Sequence, residues 1–351
     1  MKTNLIYICA LIFSLLFVNA WSQTKEQEHH YFDAYAQIEA MLLGKKALDF
    51  KEAVFITENA YYENQLNKSW FDNNIKFYTE ICKMIIASGN ILYREKDVDR
   101  ASAQCAVFMF MTDTIPFFVG EEMIKTLPFD YNFDDFAGQK DWSNMFVATL
   151  METNMGNCHS LPFLYKMIMG ELGHDCYLAL SPQHIYIKAY NNRVGWHNIE
   201  LTCGNFPTDA WYISSSYIHL DALRSGIYMD TLSLKQSVAL CLIDLAQGYQ
   251  AKFGTGNGQF ILQCCETALA HFPNYINALL LKAETLTALY RQSELSFGED
   301  KGRFAQLNEL YAHIHRLGYR KMPQNMYLNW INSMGIQSTN YRMKSLFIDI
   351  N

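Results

Sequence analysis

The sequence has little charge and few of the residues that build linkers. Only 18% of its 351 residues are charged, and 7 prolines and 18 glycines leave little room for a Pro/Gly-rich linker. Acidic residues outnumber basic ones by 35 to 28, and no Lys/Arg cluster occurs, which argues against nucleic-acid binding as the main function. Hydrophobic residues make up 50% of the chain, so it is not disordered and predicts a sizeable core.

The chain has no apolar run of the length that spans a membrane comfortably. At the beginning, Lys2 precedes a 14-residue apolar run from Leu5 to Val18, and Val18-Asn19-Ala20 puts small residues at positions −3 and −1 of a cleavage site. This pattern predicts a secretory signal peptide over residues 1–23 and an exported protein, periplasmic or secreted. An N-terminal anchor helix is the alternative.

Cysteine is sparse for an exported chain. Removal of the leader leaves eight cysteines, whose spacings form no disulfide ladder, and the neighbours Cys264 and Cys265 cannot form an ordinary bridge to each other. Most of these cysteines are therefore expected to be buried thiols.

The remaining sequence divides into three regions. Residues 24–140 are predicted to be helical up to about residue 125, with an acidic aromatic loop at 129–136. Residues 141–225 alternate helices with strand-like segments. Residues 226–351 are helical again, and the run from Ala268 to Tyr275, followed by Ala278 and Ala283, resembles a tetratricopeptide repeat. An ordinary helical hairpin is the alternative for this last region.

Two strands of the middle region place a histidine and a carboxylate on the same face. Strand alternation puts His184 on one face, and Glu200 has the matching parity on the returning strand. A turn centred on Asn192 would make these two residues direct cross-strand neighbours. The carboxylate could then hold one imidazole nitrogen by a hydrogen bond and leave the other to serve a nucleophile.

Cys158 is the candidate nucleophile. Gly156 permits a tight turn before it, and a helix is expected to begin at Cys158 or a residue or two later, since Pro162 fits only the first turn. A helix N-terminus and an adjacent imidazolium both stabilise a thiolate, so we expect the thiol pKa to lie below its free value.

These residues together resemble the transglutaminase-like superfamily. The resemblance covers about residues 150–210 and rests on Gly156-Asn157-Cys158 before a helix, on His184 at a strand start, and on the segment from Gly195-Trp196 to Glu200 and Thr202. It implies an α+β, papain-like fold with a helix carrying the cysteine and an antiparallel sheet carrying the histidine and the acid. It also implies a branch in which N-terminal helices precede this core and tetratricopeptide-like helices follow it.

The sequence departs from the family pattern at three positions. Glu200 stands where the family usually has Asp, Asn157 replaces a common Gln, and His159 replaces a common aromatic residue. These changes weaken the expectation of glutamine cross-linking more than that of a Cys-His pair. An oxyanion hole would need the Cys158 amide and one further donor. The candidates are Asn157, Asn154 and Trp142.

A metal site is the rival chemistry for this region. Five of the chain's ten histidines and three cysteines lie between residues 158 and 219. They show neither Cys-x-x-Cys nor His-x-x-x-His spacing, and His197 should point away from His184. We therefore expect no metal and no other cofactor.

Two functions follow from these patterns. The first is an exported cysteine hydrolase or acyltransferase that acts on an amide or peptide bond of a peptide or protein substrate, with Cys158, His184 and Glu200 as the triad. The second is an inactive transglutaminase-like scaffold that binds a peptide or protein partner through its C-terminal helices.

Overall fold

The computed structural model describes residues 26–297 and 300–334, so the leader expected at residues 1–23 lies outside the described residues. Helices predominate, and the strands form small sheets, which is compatible with the α+β class. The helices are α1 (26–42), α2 (Phe50–Tyr61), α3 (Lys68–Ala87), α4 (Val98–Thr112), α5 (Val147–Thr153), α6 (Ser160–Glu171), α7 (Asp209–Ser215), α8 (Leu220–Arg224), α9 (Leu234–Phe253), α10 (Gln259–His271), α11 (Ile276–Phe297), α12 (Lys301–Arg316) and α13 (324–334). The strands are β1 (Pro116–Val119), β2 (Glu122–Lys125), β3 (Asp130–Tyr131), β4 (Met155–Gly156), β5 (Tyr177–Ser181), β6 (His184–Asn191) and β7 (Gly195–Ile199), and a 3₁₀ turn covers Trp142–Met145.

Helix ends coincide with side-chain caps. The Asp49 side chain accepts a hydrogen bond from the Glu52 amide at the start of α2. At the start of α9, Ser233 and Gln236 form a reciprocal capping box. Such caps satisfy amides that have no partner inside the helix, and they fix where each helix begins.

The helical expectation fails between residues 116 and 125, where β1 and β2 form an antiparallel hairpin. Pro116 lacks the amide hydrogen that a continuing helix would need. Gly120 adopts a left-handed conformation (φ +65°) at the tip, which favours a tight turn over a helix. The hairpin therefore follows from two local signals that outweigh the helical pattern before it.

One hydrophobic core runs through all three regions of the sequence. It includes Ile38 of α1, Leu164 of α6, Ile187 of β6 and Ile261 of α10. Helix α2 packs against α9, so the N-terminal helices contact the C-terminal ones. The middle region is consequently held between the two helical regions, and its loops are fixed from both sides.

The predicted C-terminal helix–turn–helix is present as α10 and α11, which pack against each other. The turn between them places the rings of Phe272 and Tyr275 parallel, with their centroids 5.0 Å apart. Within the described ranges, no helix combines the length and the hydrophobicity needed to cross a membrane.

The three-stranded sheet has the order β5-β6-β7 and is antiparallel throughout. Its second hairpin differs from the sequence expectation by two residues. Lys188 pairs with Asn198 and Tyr190 with Trp196, because the chain turns about Arg193 rather than Asn192. A two-residue offset preserves the alternation of faces, so His184 and Glu200 keep the same parity.

Candidate active site

Cys158 lies two residues before α6, in a short link from β4. Strand β4 pairs in parallel with β3, and this pairing positions the approach to the cysteine. Gly156 permits this close packing, since a Cβ atom on it would lie 2.7 Å from both Leu150 Cδ1 and Ser160 Oγ, and one of these side chains would have to shift. The expectation that Cys158 precedes its helix by a residue or two is confirmed.

The Asn157 side chain anchors the cysteine loop to the start of α6. Its buried side-chain oxygen accepts from the amides of His159 (2.9 Å) and Ser160 (3.0 Å), while its side-chain nitrogen donates to the Phe136 carbonyl oxygen (3.0 Å). Both ends of the amide group are thus engaged within the protein. This placement makes Asn157 a loop-fixing residue rather than an open oxyanion donor.

The other two oxyanion candidates also have structural contacts of their own. Asn154 ends α5 in a left-handed conformation (φ +56°), and its carbonyl oxygen accepts from the Asp130 amide at 2.7 Å. The indole of Trp142 lies against Gly138 and against Gly248 of α9. Trp142 Nε1 is buried, and it has no hydrogen-bond partner among the described residues.

His184 and Glu200 are brought together in the interior. His184 Nε2 and Glu200 Oε2 lie 2.6 Å apart, and their side chains are 0% and 2% exposed. His184 begins β6 directly after a turn in which Gln183 is left-handed (φ +56°). The strand start fixes the direction of the imidazole, and the tight turn brings the Gln183 carbonyl oxygen within 3.9 Å of Cys158 Sγ.

Glu200 is held by further hydrogen bonds. Its Oε2 also accepts from the Tyr212 hydroxyl at 2.6 Å, and its Oε1 accepts from the Thr202 amide at 2.8 Å. A backbone bridge between Glu200 and Asn205 fixes the chain where it leaves β7. The carboxylate is therefore fully engaged, and its position does not depend on His184 alone.

The three titratable side chains of the site shift one another's pKa values. Burial alone would lower the pKa of His184, but the charge of Glu200, the neighbouring Cys158 thiol and the hydrogen bond to Glu200 raise it to about 10. Burial alone would raise the pKa of Cys158 and of Glu200, yet His184 outweighs it and lowers both. Since Nε2 faces Glu200, the buried Nδ1 is the nitrogen left for the thiol. At neutral pH these directions favour a thiolate–imidazolium pair.

Several residues of the site could not be found by sequence reasoning. Tyr212 comes from α7, and Tyr131 from β3 has a buried hydroxyl whose pKa is raised by burial and then by the charge of Cys158. Trp330 of α13 packs edge-on against the His184 ring. Sequence periodicity cannot find these contacts, because it shows which face of a helix or strand a residue lies on and does not show which distant residue packs against that face.

A second buried acid–base cluster supports the cysteine loop from α9. His159 Nδ1 lies 3.0 Å from the Met145 carbonyl oxygen, and His159 Nε2 lies 3.0 Å from an Asp244 carboxylate oxygen. Nearby, the buried Glu58 carboxylate accepts from the amides of Val147 (2.7 Å) and Ala148 (2.9 Å) at the start of α5. Burial raises the pKa of Glu58 to about 7.

Among the residues that the structure describes, no three His, Cys, Asp or Glu side chains are arranged to hold a metal ion. His197 lies opposite Ala189 and so has the parity opposite to that of His184, as expected.

Comparisons with known proteins give little further information. No protein-family model matches the chain, and no curated protein is significantly similar to it. Among solved structures, a crystal structure of menin, described as revealing the binding site for Mixed Lineage Leukemia (MLL) protein, aligns at 10% identity. The alignment covers 88% of this chain and 87% of that one with a TM-score of 0.33, a level of similarity that carries no argument about fold or function.

Proposed function

We propose that this chain is an exported, transglutaminase-like cysteine hydrolase or acyltransferase that acts on an amide or peptide bond. The observation that carries the proposal is the 2.6 Å contact between His184 and Glu200 beside a thiol whose pKa is lowered. Helix α6 with the cysteine before it, next to a sheet bearing His184 and Glu200, is the arrangement that a papain-like core would have.

In this mechanism the Cys158 thiolate attacks the substrate carbonyl carbon, and the tetrahedral intermediate collapses to a thioester. The His184 imidazolium gives its proton to the leaving amine. His184 then takes a proton from a water molecule that attacks the thioester, and this attack releases the acid. Alternatively, His184 takes the proton of an amine that attacks the thioester and accepts the acyl group. In both cases the Cys158 thiolate is the leaving group. Glu200 remains charged throughout and holds the imidazole in place through Nε2.

The first test is the pH dependence of thiol alkylation. Purified protein is treated with iodoacetamide, and each modified cysteine is located by mass spectrometry. Cys105 of α4 is the matched internal control, because it is also half-buried while burial raises its pKa. We expect Cys158 to react fastest at pH 7 and to lose this advantage in His184→Ala.

Substrate turnover supplies the second test. A panel of peptide amides and peptide p-nitroanilides is screened for hydrolysis and for transfer to an added amine. Turnover should disappear in Cys158→Ala and persist in Cys105→Ala, with both variants checked by thermal melting. Full turnover in folded Cys158→Ala would contradict the triad.

A non-catalytic scaffold is the second candidate function. It is favoured by one observation: the His184 side chain has no exposed surface, so no solvent or substrate reaches it in this conformation. In this case the C-terminal helices α10–α12 would bind a peptide or protein partner, Cys158 would be unreactive, and partner binding would survive Cys158→Ala.

A further inference from the structure

The proposed mechanism requires a group that the structure keeps covered. His184 must meet the leaving amine and later the attacking water or amine, yet its side chain has 0% exposed surface. The rings of Tyr186 and Tyr212 lie beside it at 6.4 and 6.3 Å between centroids, and Trp330 is nearer, with its ring nearly perpendicular to the imidazole (80°) and the centroids 4.8 Å apart. Cys158 itself is only half-buried, so the covered part of the site is the side on which His184 lies.

Helix α13, which carries Trp330, belongs to a small hydrophobic cluster of its own. Buried Trp330, Ile331 and Met334 pack there with Cys203, from the loop that follows Glu200, while the main core forms a different cluster. Displacing α13 therefore opens this small cluster and leaves the main core packed. The helix begins directly after Pro323, whose carbonyl oxygen accepts from the Tyr327 amide at 3.1 Å.

The surface beneath Trp330 is apolar and aromatic. The ring centroids of Trp211 and Trp330 lie 6.5 Å apart. The ring centroids of Phe136 and Tyr327, which also belongs to α13, lie 6.0 Å apart. Trp330 Nε1 is buried and finds no hydrogen-bond partner in the described part of the chain. The indole thus fills its place by shape while leaving a polar group unsatisfied, which weakens the docking of α13.

We propose that Trp330 occupies a subsite for a bulky apolar side chain of the substrate, beside His184, and that α13 is a removable autoinhibitory cover. This inference rests on the proposed function, because it takes His184 as the group that the substrate must reach. It adds a substrate class: peptides or acyl groups with an aromatic or large aliphatic group next to the scissile amide. Such a group gains the aromatic surface that Trp330 covers when α13 is docked.

The test compares two alkylating reagents on Cys158 in the full-length protein. Iodoacetamide is small, while iodoacetanilide carries an additional phenyl ring that needs the apolar subsite. The ratio of the two rates cancels changes in the intrinsic reactivity of the thiol. Trp330→Ala removes the covering side chain, and Ile331→Asp places a charge in the small cluster and should release α13.

We expect both variants to raise the ratio of the iodoacetanilide rate to the iodoacetamide rate at Cys158 by about ten-fold. This is the change expected if α13 is docked about 90% of the time in the wild type and the variants leave the subsite open. Trp196→Ala is the control, since Trp196 is exposed on β7 and lies away from the helix cluster. Free indole should slow iodoacetanilide in Trp330→Ala by refilling the vacated volume.

An unchanged or lower ratio in both variants, with their main thermal transition intact, would overturn the cover. The proposed function fails separately, if Cys158 is no more reactive to iodoacetamide than Cys105 and His184→Ala has no effect. The ratio of the two alkylation rates can be measured even when Cys158 reacts slowly. A failure of the cover can therefore be distinguished from a failure of the proposed function.

Discussion

Replacing Glu200 with Gln tests the electrostatic coupling of the site most directly. The carboxylate accepts three hydrogen bonds, from His184, Tyr212 and the Thr202 amide. A glutamine has one acceptor oxygen, so its NH₂ group must face at least one of these donors. The substitution also removes the charge that stabilises the imidazolium, in a site where neither side chain reaches water.

The magnitude follows from the pKa of His184. Its rise from an ordinary 6.5 to about 10 corresponds to roughly 5 kcal/mol in favour of the imidazolium, and the charge of Glu200 is the largest favourable contribution. The same charge directly raises the pKa of Cys158, so the net effect of its removal on the thiol is smaller than the effect on the imidazole. A net loss of about one pKa unit of thiolate stabilisation would slow alkylation of Cys158 at pH 7 by about ten-fold. The pH at which alkylation reaches half its maximal rate should rise.

The assay is a pH–rate profile for iodoacetamide, read at Cys158 by mass spectrometry. Glu171→Gln is the matched control, since Glu171 lies on α6 but makes only a surface ion pair with Lys51. A profile for Glu200→Gln that superimposes on that of the wild type would refute the ion-pair account and with it the role of Glu200.

Four further changes test other parts of the structure. Tyr212→Phe removes a hydrogen bond to the Glu200 carboxylate and should slow alkylation of Cys158 at pH 7 by about ten-fold; an unchanged rate would contradict this. Glu200→Asp should give a rate between those of wild type and Glu200→Gln, since the shorter side chain keeps the charge but loses the 2.6 Å contact with His184. Asn157→Ala should lower the free energy of unfolding by about 1–2 kcal/mol in urea titrations, because it leaves the His159 and Ser160 amides and the Phe136 carbonyl without their buried partner; a loss below about 0.5 kcal/mol would show that these hydrogen bonds are not stabilising. The pKa of Glu58 is raised from 4.5 to about 7, so the folded state binds its proton more tightly and stability should fall by roughly 3 kcal/mol as pH rises from about 4.5 to 7. Urea titrations across this range should show the slope in the wild type, and its persistence in Glu58→Gln would assign it to other groups.

The sequence predicted local structure well where one period dominates. The region up to about residue 125 was expected to be helical and contains α1 to α4, and the strand beginning at His184 is present. Strand alternation also placed His184 and Glu200 on one face correctly, although the pairing was wrong by two residues. An offset of two leaves the face unchanged, so a parity argument can succeed where a register argument fails.

Contacts between distant segments could not be predicted in this way. Trp330 reaches His184 from 146 positions further along the chain, and His159 meets Asp244 of α9. Both contacts depend on how helices dock on the middle region, and docking is decided by the shape of whole faces rather than by residue spacing. Trp142 differs in the opposite way. Its position in the sequence made it a candidate oxyanion donor, whereas in the structure its indole packs on α9.

The strand register favours a long acidic side chain at position 200. Continued by one residue, the β6–β7 pairing would put Glu200 opposite Tyr186, so His184 is its diagonal neighbour rather than its direct one. Diagonal pairs are separated by about 7–8 Å, against about 5 Å for direct pairs. The additional methylene of Glu200 extends its carboxylate toward His184, and the hydrogen bond from Tyr212 holds the longer side chain in that direction. An aspartate at this position would be one methylene shorter, and this register therefore needs the glutamate.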